Sequence, residues 1–147
     1  NRPSALILSK NPVTTVNTSD MEKVQFGAYV IAPERQVLHA ILIATGPEVQ
    51  MALRLKEKLY HEQGIDIRVV SKFLEQPKEY QEEVLTPYIK TFVLEYSSSL
   101  SWYRFVYNDK FLFTIDTFGA SGSKDDVLKA HQLDFDSILK RMIESIK

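Results

Sequence analysis

The sequence contains no cysteine. That excludes a thiol nucleophile, a disulfide framework and thiolate metal ligation, and it fits a reducing compartment, so a cytoplasmic location is expected. A surplus of charge is missing too: the net charge is −1 and no run of five like charges occurs. A nucleic-acid binder would normally show a basic stripe, so nucleic acid is not an expected partner. Long apolar runs are also absent at the start, where NRPSALILSK carries only Ala5 to Leu8 as an unbroken apolar stretch. This is far short of the core of a signal peptide or a span of roughly 20 residues, and no membrane partner is expected. The chain opens on Asn1 in place of Met, which suggests a piece cut from something longer. No internal repeat or low-complexity tract interrupts it, and Asn11 to Gln25 is its least patterned stretch.

What is present is an ordinary globular balance, 44% hydrophobic and 25% charged over 147 residues. One domain is the natural reading, large enough to bury roughly 68–70% of its unfolded surface without disulfides or metals. Leu38–Thr45 (LHAILIAT) is nearly all apolar, as in a parallel strand covered on both faces. Thr45-Gly46-Pro47-Glu48 fits a capping box that opens a helix, with Thr45 as N-cap and Glu48 three residues on. Gly64 supplies a left-handed stop, and Ile65–Ser71 reads as the next strand. Tyr80–Leu85 follows as a short helix, Thr91–Glu95 as a strand, Leu100–Val106 as a helix and Phe111–Ile115 as a strand. Two closing helices are expected, Lys124–Ala130 capped by Ser123 and Asp136–Ile146. With Ala28–Ile31 as an edge strand or hairpin partner, the expected fold is α/β: a three-layer αβα Rossmann-like sandwich of about five strands, mostly parallel with one antiparallel edge strand.

The loop after the last strand carries no complete phosphate-binding motif. In Thr114–Val127 (TIDTFGASGSKDDV), a P-loop fails because Thr117 stands where the first glycine belongs and Asp125 follows Lys124. The dinucleotide fingerprint fails because only Gly119 and Gly122 are present and helices follow. Those glycines read as room for a tight turn. His39, His61 and His131 lack metal-ligand spacing and read as surface or interface residues. Ser97, Ser98, Ser99 and Ser101 lack a nucleophile elbow and read as caps. Trp102, Tyr103, Phe105 and Tyr107 stand at helical spacing and read as core or interface.

Several segments carry a resemblance that spacing alone does not. ALILSK, GAYVI, LIATGPEVQMAL, GIDIRVVS, YQEEVL, SWYRFV and IDTFGAS follow one another as they do at the C-terminal end of transketolase. The chain resembles the C-terminal domain of that family over nearly its whole length, most specifically in ATG-x-EV and FGAS. The resemblance implies residues 1–25 as the end of a preceding pyrimidine-binding domain and linker, and residues 26–147 as the C-terminal domain. It implies an enzyme, a transferase moving a two-carbon ketol unit between sugar phosphates in the pentose phosphate pathway. Thiamine diphosphate and Mg²⁺ would serve the full-length homodimer, held by the preceding domains. The isolated chain is then expected to bind neither and to be inactive alone. One site residue carries over: Lys10 stands where the family's LSRQ segment has a phosphate-contacting arginine, and Asn11 replaces the glutamine. Lysine keeps the charge for a sugar phosphate but loses the bidentate fork. A free-standing binding or regulatory module of the same fold, or the same domain from another thiamine enzyme such as dihydroxyacetone synthase, are the alternatives at this point.

Overall fold

A computed structural model describes residues 3, 12–16, 27–71, 78–119 and 121–147. Strand β1 (Tyr29–Ala32) is followed by β2 (Ala40–Ala44), helix α1 (Glu48–Gln63), β3 (Ile67–Ser71), α2 (Lys78–Val84) and β4 (Lys90–Leu94). Two 3₁₀ turns (Ser99–Trp102 and Asp109–Phe111) lead into β5 (Leu112–Phe113), and α3 (Lys124–Ala130) and α4 (Phe135–Ile146) close the chain. The sheet order is β1-β3-β2-β4-β5. Among the described residues, β1 runs antiparallel to β3 and the other pairings are parallel. The expected α/β sandwich with one antiparallel edge is the fold observed.

Side-chain alternation along the central strand sorts the core into two layers. Ala40, Leu42 and Ala44 of β2 face a cluster with Val49, Ala52, Leu55 and Leu59 of α1, Leu128 of α3 and Ile138 and Met142 of α4. Ile41 and Ile43 face the other way, toward Val70, Val84, Val93, Trp102 and Val106. All five residues of β2 are buried, which is why its sequence reads as an unbroken apolar run. Gly64 ends α1 with φ 65°, the left-handed stop its position predicts.

Three local expectations are corrected. Thr45 does not cap α1: the N-cap is Pro47, without a side-chain cap bond. The Thr45 backbone carbonyl accepts the Glu48 amide at 3.1 Å, and its hydroxyl donates to Glu95 Oε2 at 2.5 Å, a charge-assisted bond that holds the side chain toward the end of β4. Leu100–Val106 is not an α-helix but a 3₁₀ turn, Ser99–Trp102, closed by Val106 N–H donating to Trp102 O at 3.0 Å. Asp116 holds the Ser99 amide at 2.7 Å, and the Asn108 side chain starts a fresh turn by accepting from Lys110 N–H. The helical spacing of Trp102 and Val106 therefore buries both without a helix between longer caps. Finally, Gly119 and Gly122 have no left-handed φ, and a Cβ at either would meet nothing closer than ordinary contact. The turn does not require them.

The boundary expected at residue 26, the apolar Ala5–Leu8 stretch and Lys10 lie outside the described residues. Val16 packs against the α1-side core, and Thr14 O accepts from Gln50 Nε2 at 3.5 Å.

A buried polar hub ties the elements together at the amino end of the parallel strands. Lys56 Nζ donates to Asp66 Oδ1 at 2.9 Å and to Ile67 O, with the two side chains only 4% and 2% exposed. Asp66 Oδ2 accepts the Gln36 amide at 2.8 Å and the Arg35 amide. The Asp66 amide donates to His39 Nδ1 at 3.1 Å, and the His39 amide returns a bond to Asp66 O at 2.9 Å. Burial pushes the Asp66 carboxyl up, but the hydrogen bonds from Lys56, Gln36 and Arg35 outweigh it and hold it below the usual carboxylate value.

Elsewhere α3 ends in a Schellman motif, with Gln132 N–H bonded to Lys129 O at 3.0 Å, Leu133 N–H bonded to Leu128 O at 2.8 Å, and Leu128 and Leu133 both buried. Gln132 occupies its left-handed position with φ 55°.

Two stability outcomes follow. Asp66→Ala strands a buried ammonium and should lower the unfolding free energy by about 3–5 kcal/mol in urea titrations. Because the folded carboxyl titrates below its unfolded value, the wild-type advantage should be complete above the unfolded pKa and disappear as pH falls through the folded one. Gln132→Gly, relieving the left-handed backbone, should raise stability by about 0.5–1 kcal/mol in the same titrations.

Candidate functional site

In an open α/β sheet, ligands gather at the carboxyl ends of the strands, where the winding reverses direction. Here β2 leads through α1 to β3 on one side, and the chain then crosses to β4 on the other, so the reversal lies between β2 and β4. The first residues past those strand ends are Thr45 and Glu95, joined by the hydrogen bond described above. Glu48 enters from the first turn of α1 and is 8% exposed. Burial pushes its carboxyl above the usual range; its own amide opposes this, Glu95 adds to it, and Lys124 pulls back. Tyr96, next along from Glu95, donates to Met51 Sδ at 3.2 Å and contacts Leu133 O at 3.5 Å. Burial, with the Glu48 and Asp134 carboxylates nearby, drives its phenol well above the ordinary value. This crevice therefore offers two carboxyl groups of unlike character, one bonded to a hydroxyl and one buried and biased toward its neutral form.

A second concave region lies beside β5. A cleft of about 480 Å³ is lined by Tyr103, Asp109, Thr114, Asp116, His131 and Arg141, with the buried Ser99 and Leu112 among its other walls. Asp116 accepts from Ser98 Oγ at 3.0 Å, the Ser99 amide and Thr114 Oγ1 at 2.9 Å. Burial raises its carboxyl, and those donors overcome the rise, so the group titrates below the usual value. Tyr103 donates to Asp109 Oδ1 at 3.0 Å. The Arg141 guanidinium lies 4.6 Å over the Phe113 ring and reaches Lys110 O and Leu112 O at 3.4 Å each. Partial burial lowers its pKa. Among the described residues, His131 Nε2 is a buried nitrogen with no hydrogen-bond partner.

The residues singled out in the sequence fall in different places. Lys10 lies outside the described residues. His39 serves the Asp66 hub, and His61 sits in the last turn of α1, 3.4 Å from Glu57. His131 caps the end of α3 beside the cleft, so it is neither simply a surface nor an interface residue. Ser98 caps the first 3₁₀ turn and Ser123 caps α3, as their positions predict. Trp102 and Phe105 pack into the core, whereas Tyr103 and Tyr107 are exposed. Glu95 and Asp116 were missed as site residues, although an acid just after an apolar strand was the available signal in both TFVLE and FLFTID. Among the described residues no group of three His, Asp or Glu side chains is placed to hold a metal ion. They do not fit a Mg²⁺-diphosphate site, which needs several oxygen donors about one ion.

The Glu48 environment yields a pH outcome. A carboxyl whose folded pKa is raised destabilises the fold wherever it must ionise, so Glu48→Gln should be more stable than wild type at neutral pH. That difference should shrink as pH falls through the folded pKa and close below the unfolded one; chemical unfolding across pH 4 to 8, a range of about four units around carboxyl titration, measures it.

Comparison with known proteins gives a consistent picture. Residues 27–134 match the family model for the transketolase-like TK C-terminal domain. Similar proteins include the transketolase of Geobacillus stearothermophilus, 35% identical over 95% of this chain and 22% of that protein. The transketolase of Aquifex aeolicus is likewise 35% identical, over 98% of this chain and 22% of that protein. Among solved structures, the Pichia stipitis transketolase in complex with sedoheptulose-7-phosphate matches with a TM-score of 0.77 and 26% identity, over 90% of this chain and 20% of that one. The chain thus spans about a fifth of the length of these relatives.

Proposed function

The chain belongs to the transketolase-like C-terminal domain family, and on that footing we propose that it is the C-terminal part of a transketolase, which moves a two-carbon ketol unit between sugar phosphates in the pentose phosphate pathway. The observation that carries the proposal is the family match across residues 27–134, in a chain whose similar curated proteins are transketolases about five times its length. In this reading residues 1–25 end a preceding pyrimidine-binding domain and linker, and residues 26–147 form the C-terminal domain. The enzyme is a cytoplasmic homodimer.

Thiamine diphosphate supplies the carbanion chemistry when bound, with Mg²⁺ on its diphosphate. The described residues do not fit that group, so the preceding domains would hold it and no step is routed through this chain. The domain's part is to pack on the catalytic domains and support the dimer. Leu100 is 80% exposed, Tyr107 88% and Phe118 102%, so these apolar side chains are accessible to a covering domain. Phe118 belongs to the FGAS segment, and the open space about Gly119 leaves room for another surface to approach that loop.

Lys10 is the residue proposed to touch substrate. Its ammonium would bind the sugar phosphate as a point charge where the family carries arginine. The test is a ketol-transfer assay on the whole enzyme with phosphorylated and unphosphorylated sugars. Lys10→Ala should lower kcat/KM for phosphorylated sugars by about 10- to 150-fold, the equivalent of one charge-assisted hydrogen bond of roughly 1.5–3 kcal/mol. Unphosphorylated sugars should be nearly unaffected. A whole enzyme without ketol transfer overturns the family activity for this protein; equal losses on both sugar classes make Lys10 structural instead.

A further inference from the structure

At the amino end of the sheet, one hydrogen bond depends on a group that can gain a proton. Ala40 of β2 pairs with Ile67 of β3, and the rung before it sets His39 against Asp66. The His39 amide donates to Asp66 O at 2.9 Å, and the Asp66 amide donates back, at 3.1 Å, to the ring nitrogen Nδ1 of His39. A side chain thus closes the ladder where a carbonyl would ordinarily stand. Asp66 is 1% exposed, so water offers its amide no substitute and the ring is its acceptor. Nδ1 accepts only while it carries no proton, which fixes the neutral ring in the form with its hydrogen on Nε2. His39 itself is exposed, so a proton reaches the ring from solvent without unfolding.

We propose that His39 is an acid-sensitive latch: neutral, it fastens the start of β2 to the start of β3, and protonated, it lets that rung open while the rest of the sheet stays closed. A protonated Nδ1 is a donor, and two N–H groups cannot share one bond. The ring must then leave, and the buried Asp66 amide loses its acceptor. Histidine changes charge between about pH 5 and 8, so the bond is present at the alkaline end of that window and lost toward the acid end. Asp66, held below the usual carboxylate value, stays ionised throughout and keeps its grip on Lys56 and on the Arg35 and Gln36 amides. The opening is therefore confined to the rung itself. The other charged groups on the elements that meet here are engaged elsewhere. Glu34 pairs with Arg68, Arg35 and His61 with Glu57, and Lys90, opposite Ala40, donates to Ser145 O. Among the described residues, none of these bonds the His39 ring.

The test is amide hydrogen exchange, read by ¹H–¹⁵N NMR on the full 147-residue chain at about pH 5 and about pH 8. Rates are expressed as protection, so that the intrinsic pH dependence of exchange cancels. Protection of the Asp66 amide should be about tenfold or more lower at the acid end, as expected when a buried donor loses its partner. Val93, in the buried part of β4, should keep its protection, which separates a local opening from acid unfolding. At the alkaline end, the imidazole nitrogen spectrum of His39 should show the proton on Nε2. His39→Asn sets a carbonyl oxygen close to the place of Nδ1 but takes up no proton, so Asp66 protection should become independent of pH over this range. His39→Leu should show low protection at both ends. The latch is overturned if wild-type Asp66 protection does not fall as His39 is protonated, if Val93 falls in equal measure, if the neutral ring carries its proton on Nδ1, or if His39→Asn keeps the pH dependence. The first three results are read on the wild-type protein, so the test stands even where a variant fails to fold.

Discussion

The buried Lys56–Asp66 pair is the contact on which the arrangement of the sheet depends. One carboxylate binds α1 through Lys56 and the segment between β1 and β2 through the Arg35 and Gln36 amides, while its backbone pairs with His39 at the entry to β2. An apolar core alone would allow the antiparallel edge to pair in more than one register, since hydrophobic contact is not directional. The hub converts that freedom into a single alignment, because a displaced strand would leave a buried ammonium and two buried amides without acceptors. A bidentate ion pair between Arg68 and Glu34, at 2.6 and 2.8 Å, adds a second clamp from β3 to the same segment.

Concentrating the constraints at the amino end has a counterpart at the carboxyl end. Thr45 and Glu95 each follow a strand immediately and Asp116 comes three residues after β5, and their side chains link neighbouring segments there. Here the chain carries carboxyl groups of unlike character: Glu48, buried and biased toward neutrality, and Asp116, kept below the usual carboxylate value by the Ser98, Ser99 and Thr114 donors. The family match accounts for the fold that presents them, and the exposed Phe118, Leu100 and Tyr107 fit a domain made to be covered elsewhere.

Much of this was legible in the sequence where one physical signal acted alone. The all-apolar run through β2 announced a strand covered on both faces, Gly64 a left-handed stop, and Ser123 a cap with acids in the first turn. Legibility failed where a distant side chain intervened. Thr45 has the local form of a cap, yet its side chain turns to Glu95, fifty positions away, and no side-chain cap bond forms. Trp102 and Val106 have helical spacing, yet Asp116 claims the amide of Ser99 and the turn tightens. Lys56 reads as an ordinary helix-surface lysine, and nothing local shows that Asp66 will bury it. The cleft was invisible for the same reason, since its groups come from segments separated by some thirty residues. Lys10 differs in kind: only likeness to a family, not any local pattern, singled it out.

The ends of the sheet bear on how the protein behaves in a crowded solution. A long, flat outer strand offers unpaired amides and carbonyls to any other chain that can add to it. Here β1 is four residues long and its register against β3 slips between Val30 and Ala32, while β5 pairs through only two residues before Ile115 turns to Ser97. Among the described residues, neither border is long or regular enough to template a further strand. The molecule can therefore carry a central strand as apolar as β2 and still resist the edge-to-edge polymerisation that such sequences invite once a sheet is left open.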